Sequence, residues 1–108
     1  MLDMTCITCY YYEDELIKSF KEKETELIFS GYKSHKLNQA IQPITYRKLR
    51  ILHNSIDLRD LAAPPSNHLE KLKGELDNRY SIRINDQYRI CFIWENGDAF
   101  EVEIVDYH

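Results

Sequence analysis

The spacing of apolar residues changes along the chain, and each change marks an element. Residues 16–20, LIKSF, alternate apolar and polar side chains, the period-two signature of a half-buried strand. KEKETELIFSGY follows, with Leu27 and Phe29 on a short helix that Gly31 can end. A longer helical pattern occupies KLNQAIQPITYRKLRILHNS, where Leu37, Ile41, Ile44, Leu49, Leu52 and Ile56 recur at approximately helical spacing. Pro43 suits a first turn, so regular helix is predicted from near Gln42. The opposite face carries Arg47, Lys48 and Arg50. SIDLRDLAAPPSNHL then reads as a short helical turn closed by Pro64 and Pro65, since two prolines in series fit neither a helix nor a central strand.

The last third returns to period two. YSIRI, QYRICFIW and AFEVEIV are rich in aromatic and β-branched residues and predict strands at 80–84, 87–95 and 99–106. Asn96-Gly97 within ENGD is a strong signal for a two-residue hairpin, because a type I′ turn needs positive φ at both central positions. Asn85-Asp86 marks a second tight turn. The expected fold class is α+β, with two N-terminal helices packed on one face of a twisted antiparallel sheet. That sheet would comprise the three-stranded C-terminal meander plus an N-terminal edge strand at 16–20. Residues 1–15, with two cysteines, three consecutive tyrosines and three consecutive acids, differ in composition and mark no domain.

Length and composition narrow the class without changing it. At 108 residues, 44% hydrophobic and 30% charged, the chain suits one globular domain with its own core. No apolar run approaches the roughly 18–20 residues that span a bilayer. YYYEDE is acidic where a secretory signal would be apolar, so a cytoplasmic protein with no membrane partner is expected. Cys6 and Cys9 form a single CITC pair without the further ligands of a zinc site, and Cys91 falls in a core strand; no metal, cofactor or disulfide framework is expected.

The net charge of −4 conceals an uneven distribution. Residues 33–89 hold eleven Lys and Arg against six acids, whereas residues 1–31 hold three Lys against seven acids and residues 90–108 hold five acids alone. A positive surface of this kind can bind phosphates on an acidic protein. Helices decorated for solubility would give the same count.

The polar residues of the strands suggest a chemistry. Arg83 and Arg89 lie in adjacent strands, and neighbours on one sheet face approach within about 5 Å. Both arginines can therefore approach Asp106, Tyr107 and His108 at the end of the last strand, although one is expected merely to pair with Glu101 or Glu103. RNA cleavage by attack of a 2′-hydroxyl needs a base, an acid and cations to hold the charge that builds on the phosphate. Arginine supplies the cation in a planar fork, histidine serves as acid or base near neutrality, and tyrosine can stack on a base or donate a proton. The bland alternative is that the terminal residues only finish the sheet edge. NHLEKLKGELDNRYS adds His68, Glu70, Lys71, Lys73 and Arg79 directly before the first meander strand, where loops often carry function. His35 and His53 read as structural or solvent-exposed.

These residues resemble a known family. LRDLAAPPSNHLEKLKG, YSIRINDQYRICF and the terminal EIVDYH, in that order, are similar to the HigB branch of the RelE/ParE toxins, over residues 16–108. The resemblance implies a RelE-like fold and a ribosome-dependent endoribonuclease that cuts mRNA in the 30S decoding A site, without a cofactor. Its partner would be a HigA-like helix-turn-helix antitoxin, through which the pair contacts DNA indirectly. Asp106, Tyr107 and His108 match the functional terminal triplet of such toxins, Lys73 the lysine of the LKG stretch, and Arg89 the arginine of the central strand. Glu70 stands where several relatives carry histidine, and His68 lies two residues earlier, on the same face if that segment is a strand. The catalytic set expected is therefore His108, Tyr107, Asp106, Glu70, Lys73 and Arg89, with Arg83, His68, Lys71 and Arg79 as RNA contacts. Residues 1–15 would be an extension outside the core domain, or would pair with its edge strand. Two other readings are a ParE-like gyrase poison and a catalytically weak homologue acting as co-repressor.

Overall fold

The computed structural model describes residues 17–72 and 78–106. Helix α1 (Lys23–Phe29) is followed by a 3-10 turn, Gln39–Ile41, that runs into the long helix α2 (Gln42–Asn54). Pro43 occupies the first turn of α2, where its missing N–H costs nothing. Helix α3 (Leu58–Ala62) begins at a capping box between Asp57 and Asp60. A second 3-10 turn, Pro65–Asn67, leads into the sheet: β1 (Glu70–Lys71), β2 (Arg79–Arg83), β3 (Tyr88–Glu95) and β4 (Asp98–Asp106), antiparallel in the order β1-β2-β3-β4.

The core lies between the helices and one sheet face. Leu49, Leu52 and Leu61 meet Ile82, Ile90, Phe92, Val102 and Ile104 there, within one buried cluster. Alternation consequently sends Ser81, Arg83, Arg89 and Glu103 to the other face. The α+β class and the meander are as the sequence predicts. Two apolar expectations shift. In α1 it is Ile28 that is buried, with Leu27 and Phe29 only half-buried. Ile56 is 77% exposed, because α2 ends at Asn54 and the extended Ser55 takes the chain off the helical register.

The N-terminal edge also differs from a regular strand. Residues 17–20 run parallel to β4 and touch it through isolated bridges at Ile17–Ala99 and Phe20–Val102. The fourth strand is instead the two-residue β1, at the other edge beside β2. Ser19 fixes the N-terminal segment: its Oγ accepts the Glu101 N–H at 2.9 Å and its carbonyl accepts the Val102 N–H at 3.1 Å. Glu101, at φ 51°, forms a bulge at which the β3–β4 register shifts. The extra residue resets the phase, so that Val102 and Ile104 point inward after Ala99 has done so.

Asn96 (φ 53°) and Gly97 (φ 83°) make the expected hairpin turn between β3 and β4. Replacing Gly97 with alanine is expected to cost about 1 kcal/mol, since a Cβ is disfavoured at that φ. Thermal unfolding of the variant checks this, with a drop of several degrees expected.

Candidate functional site

The site grows from the sheet face turned away from the helices. Antiparallel register makes Arg83 and Arg89 direct partners across β2 and β3. Like charges so placed repel, and each needs a counter-group. Arg83 pairs with Asp86 in the following turn. Arg89 is only 8% exposed and is held more firmly. Its Nε donates to Ser81 Oγ at 2.8 Å, and its Nη2 donates to the Ser81 carbonyl at 3.3 Å and to the His68 carbonyl. Glu70, opposite Ser81 on β1, brings a carboxylate oxygen to 4.0 Å from the same nitrogen. The guanidinium is thus fixed in place while Glu70 remains largely exposed to solvent.

The other expected residues divide. His68 is at the site, but through its backbone: it ends the Pro65–Asn67 turn in the left-handed region, φ 43°, rather than lying on a strand with Glu70. His68 therefore does not share a strand with Glu70, contrary to the sequence expectation. Lys71 follows Glu70 on β1 and partners Tyr80, so it projects to the opposite face. Arg79 ion-pairs with Glu101 at 3.6 Å and Glu103 at 3.5 Å, and Lys21 joins Glu103 at 3.5 Å. The arginine that pairs with those glutamates is therefore Arg79, not Arg83 or Arg89. Asp106 ends β4 opposite Tyr88, whereas Arg89 lies opposite Val105; alternation puts Asp106 and Arg89 on different faces of the ladder. The Asp106 carboxylate accepts a hydrogen bond from Gln87 Nε2 at 3.0 Å. Lys73, Tyr107 and His108 lie outside the described residues, as do Cys6 and Cys9. Among the described residues no group of three or more His, Cys, Asp or Glu side chains could hold a metal ion, and no helix is long and apolar enough to cross a membrane.

One residue at this corner was not singled out by sequence. Lys48 on α2 is half-buried and donates from Nζ to Oδ1 of the fully buried Asn67. Burial, then the nearby charges of Arg83 and Arg47, holds its pKa below the usual lysine value. In the sequence it is one of three basic residues on a polar helix face, and nothing in the periodicity separates it from Arg47 or Arg50. An open groove of about 480 Å³ lies elsewhere, lined by Ile28, Tyr32, Pro43 and Tyr46 among others; none of the expected site residues lines it.

The family model for the RelE-like toxin of the type II toxin–antitoxin system HigB matches residues 18–108. The chain belongs to the HigB-like toxin family. Toxin HigB-1 of Vibrio cholerae is 41% identical over 81 residues, covering 74% of this chain and 85% of the relative. Endoribonuclease HigB of Proteus vulgaris is 33% identical over 94 residues, covering 86% of this chain and all of the relative. In the structure of the YoeB dimer from Staphylococcus aureus, a chain 19% identical in sequence aligns with a TM-score of 0.49, over 86% of this chain and 95% of that one. Membership of the family makes the chain a toxin of a type II toxin–antitoxin system and implies an antitoxin partner.

Proposed function

We propose that the chain is an endoribonuclease that cuts mRNA in the decoding A site of the ribosome, and that a HigA-like helix-turn-helix antitoxin neutralises it. The observation that carries this reading is the pair of arginines facing each other across β2 and β3, with Glu70 beside the buried one. Two cations placed opposite each other on the sheet face turned away from the helices favour an anion between them, and a phosphodiester is the anion that an endoribonuclease must hold. Membership of a toxin family supports the reading, as does a relative named Endoribonuclease HigB that aligns over its whole length.

In this reading Arg89 and Arg83 take the charge that develops on the phosphate as the 2′-oxygen bonds to phosphorus and the 5′-oxygen leaves. Cationic side chains do this work, and no metal is required. One group removes the 2′-hydroxyl proton while another gives a proton to the departing oxygen. Glu70, His108 and Tyr107 are the candidates for these two roles, with Lys73 adding a further positive charge; Asp106, on the other face of the ladder, is left to steady the end of β4. Action at the ribosome places the protein in the cytoplasm, with DNA contacted only through the antitoxin. Residues 16–108 form the toxin domain, and residues 1–15 are an extension to it.

Inducible expression of the full chain, with mapping of mRNA 5′ ends, tests the proposal. Growth arrest should coincide with new cuts confined to translated messages, and co-expressed antitoxin should suppress both. His108→Ala should remove the cuts. Arrest without new 5′ ends would reject the nuclease and point to a target such as gyrase.

A further inference from the structure

On the polar face of α2, three basic side chains do different things. Arg50 stacks on the Phe29 ring, 4.8 Å from its centroid, and is accounted for by packing. Arg47 is exposed. Lys48 turns inward to Asn67 and is fixed there. The orientation of Asn67 is set as well: its Nδ2 donates to the Leu61 carbonyl at 3.0 Å, which leaves Oδ1 for the lysine. The residue after Asn67 is His68, whose carbonyl receives Arg89. Two consecutive loop residues therefore hold one cation each, one from α2 and one from β3. Arg83, partner of Arg89 in the ladder, completes a corner built from three elements.

We propose that Lys48 supplies a second phosphate subsite, which binds the RNA backbone beside the phosphate held at Arg89 and Arg83, with Asn67 positioning the lysine. The proposal rests on the nuclease reading above and extends it along the substrate strand. The physical case is an unbalanced charge. Among the described residues Lys48 makes no ion pair, and Arg83's partner Asp86 is 99% exposed, so that its charge is largely screened by water. An ammonium half-buried beside other cations is unfavourable, and the same burial and charges hold its pKa below the usual lysine value. If its only duty were to satisfy Asn67, a neutral donor would serve at lower cost. A bound phosphodiester offsets the repulsion and accepts the protons of Lys48 that Asn67 does not use. Arg47, one residue earlier on the helix, adds to the same local potential.

Lys48→Gln separates the two duties, since its amide can still donate to Asn67 but carries no charge; Lys48→Arg keeps the charge. The assay is single-turnover cleavage of mRNA on programmed ribosomes, read against toxin concentration at several salt concentrations. For Lys48→Gln the half-saturating concentration should rise about tenfold and the maximal rate should change less than about twofold. The slope of binding against salt should fall by about one. Lys48→Arg should restore most of the binding. An unchanged half-saturation and salt slope in Lys48→Gln, with wild type cleaving normally, overturns the subsite and leaves the nuclease standing. A loss confined to the maximal rate also overturns it. Wild type that cleaves no mRNA rejects the nuclease reading itself.

Discussion

Arg89→Ala is expected to reduce single-turnover cleavage by about 10³-fold and to destabilise the fold by about 2–4 kcal/mol. Both effects follow from burial. The guanidinium is 8% exposed and spends its protons on Ser81 Oγ, the Ser81 carbonyl and the His68 carbonyl. Truncation leaves those acceptors without their donor inside the protein, a larger penalty than the net gain from forming the bonds. It also removes the cation that faces Glu70 at 4.0 Å. Because a destabilised variant can lose activity for trivial reasons, Arg89→Lys is the informative partner. Lysine keeps the charge but cannot span Ser81 and His68 with one planar fork. It should stay folded in a denaturant titration, yet cleave at least about 100-fold more slowly. Wild-type cleavage by Arg89→Lys would show that the fixed guanidinium geometry has no part in the chemistry.

How far the sequence discloses this arrangement depends on whether a feature is local. The start of α2 at Gln42 and the Asn96-Gly97 turn are local, since each follows from the φ that proline or a type I′ turn demands. Arg83 and Arg89 could be placed near each other because the Asn85-Asp86 turn sets the register between their strands. The misplacements are non-local. The alternation of AFEVEIV conceals the bulge at Glu101, which shows only as Ala99 falling out of phase with Val102 and Ile104. Strand periodicity does not reach back to His68, where the backbone is left-handed and the carbonyl accepts the Arg89 guanidinium. Arg79 and Lys48 could be sorted only by the partners that folding brings from distant sequence: Glu101 and Glu103 for one, Asn67 for the other.

Glu70→Gln is expected to lower the maximal cleavage rate by about 10²-fold while leaving half-saturation and stability almost unchanged. The side chain is 58% exposed and its contact with Arg89, at 4.0 Å, is loose, so little folding energy depends on it. What the substitution removes is the capacity to take and return a proton beside a fixed cation. Glutamine has nearly the same shape and can keep the contact with Arg89, so a rate loss with unchanged binding isolates proton transfer from positioning. Glu70→His, which installs an imidazole able to take and return a proton beside the fixed guanidinium, should recover much of the rate. Its pH–rate profile should gain an inflection near the imidazole value of about 6.5. If Glu70→Gln instead cleaves at the wild-type rate, Glu70 only steadies Arg89. The acid–base work would then fall to Tyr107 and His108, and the same assay on His108→Ala would carry the whole loss.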